Sequence, residues 1–479
     1  MPLAVRPVKP DSATFVADGT IDAPIVGGDM TAAPIGADEF ADCMQRLGPF
    51  EFRPHLAVGV SGGRDSLALV LLAAEWAAAR GGLVTAVTLD HGLRETSAAE
   101  AALVATWMAR HGIPHHTLAW LDSPGPGTTG MGASEAEARL ARYELLETFC
   151  RDHGILHLLV GHHRDDQLET QAMRRARSSG MFGQAGMPAV RELAHMRVLR
   201  PLLDIARPRV TATLHARGQI WIEDPSNQDT RFARARMRTG GSTLPFTGPD
   251  VRTETARVRV AAERELARVA ARFVAVHPAG FATLDPAFPD VVDRETGGRV
   301  IARLVTCIAG RVYAPRGARL NRLAERVITG ALGGGATLGG CTVRPGVGGT
   351  VRIARELAAI DGPRPVMGAR ENHRGLDWDG RFRVLIPAAS GSGAQLSRTD
   401  EVRLGAVGQF SDLGVPEHPD SPRYDALPHA VRMALPAIFR GGRFHVCALP
   451  FSSDSDRAAG KAWFAPKNAV AGAVFATGW

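Results

Sequence analysis

Leu56-Ala57-Val58-Gly59-Val60-Ser61-Gly62-Gly63-Arg64-Asp65-Ser66-Leu67 is the stretch on which the fold turns. Leu56 to Val60 is apolar without alternation, the pattern of a strand covered on both faces. Leu67 to Ala79 is built from strong helix formers. A strand that passes through paired glycines into a helix aims backbone amides, the hydroxyls of Ser61 and Ser66 and the positive helix end at one spot. That geometry suits a phosphate or pyrophosphate group. The loop holds no lysine, so it is not the Walker type, whose lysine supplies a point charge to the terminal phosphates. Asp65 instead offers a carboxylate able to hold Mg²⁺ against the phosphates. An ordinary glycine-rich turn is the plain alternative in a chain with 53 glycines; the strand and helix flanks set this one apart.

Outward from this stretch, strand and helix patterns alternate. A short amphipathic helix is expected over Asp38–Leu47, strands over Leu83–Leu89, His115–Trp120 and Leu156–Val160, and helices from Ser97 to about His111, Ser134 to His153 and Arg164 to Ala176. Met196–Leu199 and Gln219–Ile222 read as shorter strands around a helix near Arg207–Ala216. Alternation of this kind predicts an α/β fold with a doubly wound parallel sheet, whose ligands lie at the carboxyl ends of the strands. Residues 1–35 lack periodicity and read as a mobile leader, and 36–240 as the α/β domain. Helices over Val251–Val276, Glu295–Ala309 and Leu320–Ala331 predict a helical region at 241–332, and glycine-rich alternation predicts a small β-rich part at 333–479.

A length of 479 residues implies two or three domains, and 45% hydrophobic with 22% charged residues is the balance of a globular protein. No apolar run approaches membrane-spanning length, and Met1 to Asp29 lacks a signal-peptide core, so a cytoplasmic protein is expected. The net charge of +7 permits nucleic-acid binding. Lysine occurs only at Lys9, Lys461 and Lys467. A GC-rich genome also produces such an arginine skew, so where the arginines fall matters more than their number. Five scattered cysteines with no Cys-x-x-Cys argue against a structural zinc, an iron–sulfur cluster or a disulfide framework.

Chemistry-bearing residues collect after the predicted strands. Asp90-His91-Gly92-Leu93-Arg94 follows the second, where a base or second substrate would be met. Glu135, Glu137, Arg139, Arg142 and Tyr143 share one helix; Arg139 and Arg142 lie on one face, either in surface ion pairs or reaching a phosphate. Gly161-His162-His163-Arg164-Asp165-Asp166-Gln167-Leu168-Glu169-Thr170 follows the fourth strand. Helical spacing places His162, Asp166 and Glu169 on one side, able to hold Mg²⁺, orient an amine or take its proton. Zinc fits less well, since no cysteine is near in sequence and the pairs His111/His115 and His153/His157 straddle turns. Gly183 to Pro188 and Arg200 to Leu203 are loop and strand-end signals. Asp224-Pro225-Ser226-Asn227-Gln228-Asp229 precedes Arg231, Arg234, Arg236 and Arg238. Of these, Arg231, Arg234 and Arg238 are spaced for one helical face, a phosphate-tracking stripe or a solvated basic face.

Taken in order, these blocks resemble the tRNA(Ile)-lysidine synthase family of the PP-loop, or N-type, ATP pyrophosphatases, whose domain is of the adenine nucleotide alpha hydrolase-like kind. The resemblance covers about Asp38 to Arg238. Ser-Gly-Gly-x-Asp-Ser identifies the superfamily, His-His-x-Asp-Asp-Gln-x-Glu-Thr narrows it to enzymes acting on tRNA, and Asp-Pro-Ser-Asn-x-Asp points to the lysidine branch. The resemblance implies ATP and Mg²⁺ as cofactors, with tRNA(Ile) bearing a CAU anticodon and free L-lysine as partners. It implies adenylation of the C2 oxygen of the wobble cytidine, followed by displacement of AMP by the lysine ε-amine. On that reading Ser61, Gly62, Gly63, Arg64, Asp65, Ser66 and His91 bind the nucleotide, and Asp65 and Asp166 hold Mg²⁺. Arg142 stabilises charge, His162 and Glu169 line the reacting centre, and Arg231, Arg234, Arg236 and Arg238 bind tRNA, with 241–332 as a tRNA-contact region.

Arg234-Ala235-Arg236-Met237-Arg238 departs from the family at its second position, usually Asn, and the chain runs on into Gly240-Gly241 instead of a Leu-Pro helix. The other readings are a PP-loop tRNA thiolation enzyme, which would need cysteine pairs, a small-molecule synthetase, which would not need the arginine stripe, and a non-catalytic tRNA-binding protein, against which Asp65, Asp166 and Glu169 speak.

Overall fold

The computed structural model describes residues 32–90, 97–119, 135–176, 185–193, 195–223, 249–315, 317–366, 375–386, 402–410, 412, 422–440, 443–447, 449–450, 460–466 and 468–470, with backbone alone for 135–140, 249–256, 422 and 443. Contacts group it into two compact units that divide between Val260 and Ala261.

The first unit holds β1 (His55–Gly59), β2 (Leu83–Asp90), β3 (His115–Ala119), β4 (His157–Leu159), β5 (Val190–Glu192) and β6 (Arg197–Leu199) in one sheet of order β3-β2-β1-β4-β6-β5. Its helices are α1 (Ala37–Gln45), α2 (Arg64–Ala78), α3 (Ser97–Arg110), α4 (Glu135–Asp152), α5 (Arg164–Ala176) and α6 (Arg207–Ala216). Successive residues of a strand face opposite sides. Leu56, Val58 and Val60 therefore enter one core with buried residues of α1, α2, α3 and α6, while Ala57, Val87, Leu118 and Leu158 enter another with Leu145, Leu146, Phe149 and Cys150 of α4. The apolar run at Leu56–Val60 is the middle layer of this sandwich, and each such buried aliphatic side chain contributes about 1.5–3 kcal/mol.

Every pairing from β3 to β6 is parallel, as the alternation predicts. β5 is an antiparallel edge strand absent from the expectation. Only residues 193–196 join it to β6, and Leu193 N–H donates to Met196 O at 2.8 Å, a reversal too short for a parallel crossover. Gln219–Ile222 is not a strand. Ile222 N–H donates at 2.9 Å to Gly62 O, so this segment closes over the loop after β1 instead of extending the sheet. Residues 1–31 lie outside the described residues, while Ile35 is buried, with its N–H on Thr213 Oγ1 at 2.9 Å. Residues 125–132 and 239–248 also lie outside the described residues.

In the second unit, a helix α7 (Pro249–Phe273) that begins before the division runs into β7 (Val274–His277) and β8 (Phe281–Leu284). The expected continuation of this helix to Val276 fails because β-branched Val274 and Val276 pair into a hairpin turned at Gly280, whose φ is 75°. With β9 (Ala336–Leu338), β10 (Cys341–Pro345) and β11 (Val351–Arg355) these form an antiparallel sheet of order β7-β8-β11-β10-β9. Short helix α8 (Phe288–Val291) precedes α9 (Arg294–Ala309) and α10 (Ala318–Ile328), which share a core with that sheet. α9 is capped by Asp293, which accepts from the N–H groups of Glu295 and Thr296 at 3.0 Å. Beyond lie β12 (Arg364–Pro365), β13 (Leu376–Trp378), β14 (Phe382–Leu385), β15 (Arg403–Ala406), α11 (Pro422–Asp425), α12 (His429–Met433), β16 (Pro436–Arg440), β17 (Arg443–Val446) and β18 (Lys461–Phe464), in sheets of order β12-β15-β16-β17 and β13-β14-β18.

A buried ionic cluster ties these parts together. Asp379, with φ at 52°, accepts from Arg355 at 2.7 and 2.9 Å and from Arg381 at 2.5 Å. Arg381 is 1% exposed, and burial pulls its guanidinium down to about 10 against the pull of Asp379. Asparagine tolerates the left-handed backbone, so Asp379→Asn removes the charge with little strain. It leaves two buried guanidinium groups uncompensated and is expected to cost about 3–5 kcal/mol, read as faster hydrogen exchange across residues 376–385.

Candidate active site

Strands β2 and β3 lie on one side of β1, and β4 and β6 on the other. The order of winding therefore reverses between β1 and β4, and the loops leaving their carboxyl ends diverge there into a crevice. Both predicted motifs sit at this crevice: Ser61–Ser66 after β1 and Gly161–Thr170 after β4.

The first loop is shaped by its own side chains. Gly62 has φ of 81°, and a Cβ there would lie 2.7 Å from Ile222 Cδ1 and 3.0 Å from Val104 Cγ2. Gly63 precedes α2 with no side chain capping the helix, which leaves the first-turn amides open to an anion. Ser66 is buried; its hydroxyl accepts from Ser61 N–H at 3.1 Å and donates to Gly63 O at 2.9 Å. Ser66 thus forms the loop, while Ser61 is exposed at its mouth. The Arg64 guanidinium is turned to Glu223 and lies 5.5 Å from the Trp221 ring centroid, and Trp221 Nε1 donates to the same Glu223 oxygen at 2.7 Å. Arg64 therefore fastens segment 221–223 to the loop.

The second loop presses on the first. A Cβ at Gly161 would lie 2.8 Å from Asp65 O and 3.0 Å from Ser66 N, so only glycine allows this approach. Two residues on, His163 is 2% exposed, with Nε2 at 3.6 Å from Oδ2 of Asp65 and 3.6 Å from Oδ2 of Asp166. Asp166 Oδ2 accepts from His163 N–H at 3.1 Å, and His163 Nδ1 accepts from Asp165 N–H at 3.2 Å. His163 thus caps the helix through the N–H of its second residue, and Asp166, at the third helical position, reaches back to the N-cap N–H as in a capping box. Burial works against a charged His163 ring, but Asp65 and Asp166 prevail and raise its pKa. Burial raises the pKa of Asp166, and the charges of Asp65 and Glu169 add to it. Asp65 Oδ1 is buried without a hydrogen-bond partner.

α5 begins at Arg164, so His162 stands before the helix and helical spacing does not join it to Asp166 and Glu169. Glu169 is buried on α5, and Arg142 lies on α4 with its side chain exposed. His91 and Arg231, Arg234, Arg236 and Arg238 lie outside the described residues. Of the expected site, the structure joins Asp65 and Asp166. The residue missed as a member is His163, whose position three before Asp166 is the capping-box spacing. Gln167 was likewise unassigned. It is buried and grips Met187 through both ends of its amide, accepting N–H at 2.5 Å and donating to O at 2.8 Å. Gly186, with φ of 77°, makes room for that amide.

A family profile described as a PP-loop domain matches residues 38–240. A tRNA(Ile)-lysidine synthase of Ruegeria pomeroyi is 33% identical over 422 residues, covering 85% of this chain and 91% of its own. Those of Bradyrhizobium sp. and Methylobacterium nodulans are 34% and 36% identical, covering 69% and 68% of this chain and 95% and 97% of their own. The chain belongs to the tRNA(Ile)-lysidine synthase family.

For a member of this family, the donor set at the crevice suits a hard cation better than zinc. Among the described residues no three side chains are arranged to ligate a metal by themselves, and both nitrogens of His163 are engaged. The orphaned Asp65 Oδ1 and the adjacent Asp166 carboxylate fit Mg²⁺, which completes its shell with phosphate oxygens and water. All five cysteines are buried and free, and burial pushes the thiols of Cys150, Cys307 and Cys341 up to about 12. Sulfur transfer needs a reachable thiolate, which these sites do not offer. Among the described residues no helix is long and apolar enough to cross a membrane.

Gly161→Ala is expected to force the two loops apart at a cost of about 1–3 kcal/mol, lowering the thermal midpoint and weakening ATP binding. Gly36→Ala, where nothing lies within 4 Å, should leave ATP binding unchanged in the same titration.

Proposed function

We propose that the crevice between β1 and β4 is where this member of the lysidine synthase family uses ATP to activate tRNA(Ile) for attack by free lysine. The observation that carries the reading is the buried, unpartnered Asp65 Oδ1 beside a phosphate-ready helix start, with Asp166 brought up to it by the second loop. The open amides of the first turn of α2 would hold the phosphates of ATP. Asp65 and Asp166 would hold Mg²⁺, which supplies positive charge against the phosphate oxygens as diphosphate leaves. The C2 oxygen of the wobble cytidine in a CAU anticodon attacks the α-phosphorus, releasing diphosphate and leaving the cytidine adenylated. The lysine ε-amine then forms a bond to C2 and AMP departs, giving lysidine.

The chain's own groups divide this work. Ser61 and the backbone of Gly62 and Gly63 shape the phosphate cradle, and Arg64 braces it through Glu223. His162 and Glu169 would line the reacting centre, where an amine would be oriented and relieved of its proton. Arg142 would meet charge that develops during adenylyl transfer. Arg231, Arg234, Arg236 and Arg238 would track the tRNA backbone, as the net charge of +7 allows.

The reading is tested with labelled lysine, ATP and tRNA carrying a CAU anticodon. Label is expected in the tRNA, dependent on ATP; no transfer by protein that binds ATP normally would overturn the assignment. Asp65→Ala is expected to abolish adenylation of the tRNA while leaving tRNA affinity nearly unchanged. Replacing Arg231, Arg234, Arg236 and Arg238 together should weaken tRNA binding and flatten its salt dependence, by about one unit of slope for each phosphate no longer neutralised.

A further inference from the structure

His163 is a buried polar side chain to which the proposed chemistry assigns no step. It is 2% exposed, so it meets neither solvent nor an incoming RNA. Nδ1 accepts the Asp165 N–H at 3.2 Å, which leaves the ring hydrogen on Nε2. Nε2 in turn stands at 3.6 Å from one oxygen of Asp65 and 3.6 Å from one oxygen of Asp166. One ring thus faces two carboxylates carried by different helices, α2 and α5, whose like charges would otherwise turn them apart. Because the ring engages Oδ2 of Asp65, the other oxygen is the one left buried and without a partner. The backbone of His163 acts in the same direction, its N–H holding Asp166 Oδ2 at 3.1 Å.

We infer that His163 is a positioning residue that sets the spacing and rotation of Asp65 and Asp166, and so sets the affinity of the crevice for the divalent cation that accompanies ATP. The inference rests on the reading of those carboxylates as metal ligands. The ring does not ligate the metal; it orients the groups that do, as partners behind metal-binding side chains commonly do.

The test measures Mn²⁺ binding by electron paramagnetic resonance to the full-length protein with a non-cleavable ATP analogue bearing a methylene between the α- and β-phosphorus. His163→Leu keeps bulk and removes both ring nitrogens. It is expected to weaken Mn²⁺ binding about tenfold or more and to raise the KM for metal–ATP, with kcat at saturating metal and the Kd for tRNA little changed. His163→Gln places an amide N–H near the position of Nε2 and should restore most of the affinity; His163→Asn, too short to do so, should not. If the leucine variant does not fold, the glutamine and asparagine pair decides alone. Equal Mn²⁺ affinity across the folded variants overturns the inference. Asp65→Asn is the control on the underlying reading. If it too leaves Mn²⁺ affinity intact, the metal assignment itself has failed. If it abolishes binding while His163→Leu does not, only the role of His163 has failed.

Discussion

The approach of Gly161 to the first turn of α2 is the contact on which the site depends. With no side chain at Gly161, the loop after β4 comes against the backbone of Asp65 and Ser66. That approach carries His163 between Asp65 and Asp166 and makes one cluster from residues about a hundred apart in sequence. Neither motif is a site without it. The glycine-rich loop alone is an anion cradle, and the histidine–aspartate motif alone is a well-capped helix start. The parallel sheet makes the meeting possible by placing β1 and β4 side by side where its winding reverses.

Around this contact the side chains divide between shaping and reacting. Ser66, Arg64 and Gln167 look like ligand-binding residues in a sequence motif, yet each also bonds within the protein: Ser66 within its loop, Arg64 through one nitrogen on Glu223, Gln167 on Met187. What remains for a ligand is mostly backbone amide and carboxylate oxygen. Such a set suits a nucleotide bound with a hard cation, and does not suit covalent chemistry through sulfur or a zinc-bound water. The buried thiols point the same way, since burial keeps them protonated.

The sheet and helices of the first unit were legible because strands covered on both faces are continuously apolar and the helices between them have their own periodicity. Leu56–Val60 and Arg164–Ala176 need no tertiary information to be read. Where elements depend on distant partners, the sequence was silent. β5 exists by pairing with β6, β8 by pairing with β11, and Gln219–Ile222 forgoes a strand to close over Gly62. In the site, Asp65 and Asp166 were legible from residue type and place. His163 was not, because its role lies in an approach set by Gly161, although its capping-box spacing to Asp166 was on view. His162 drew attention instead through a helical spacing that does not apply, since the helix starts two residues later.

The most direct measurement is a crystal structure with Mn²⁺ and the non-cleavable ATP analogue, with the metal located by its anomalous scattering. The expected result is an anomalous peak in contact with Asp65 and Asp166 and with phosphate oxygens, the phosphates seated on the amides that begin α2. A metal that binds the phosphates without touching either carboxylate, or a nucleotide held away from the β1–β4 crevice, would contradict it.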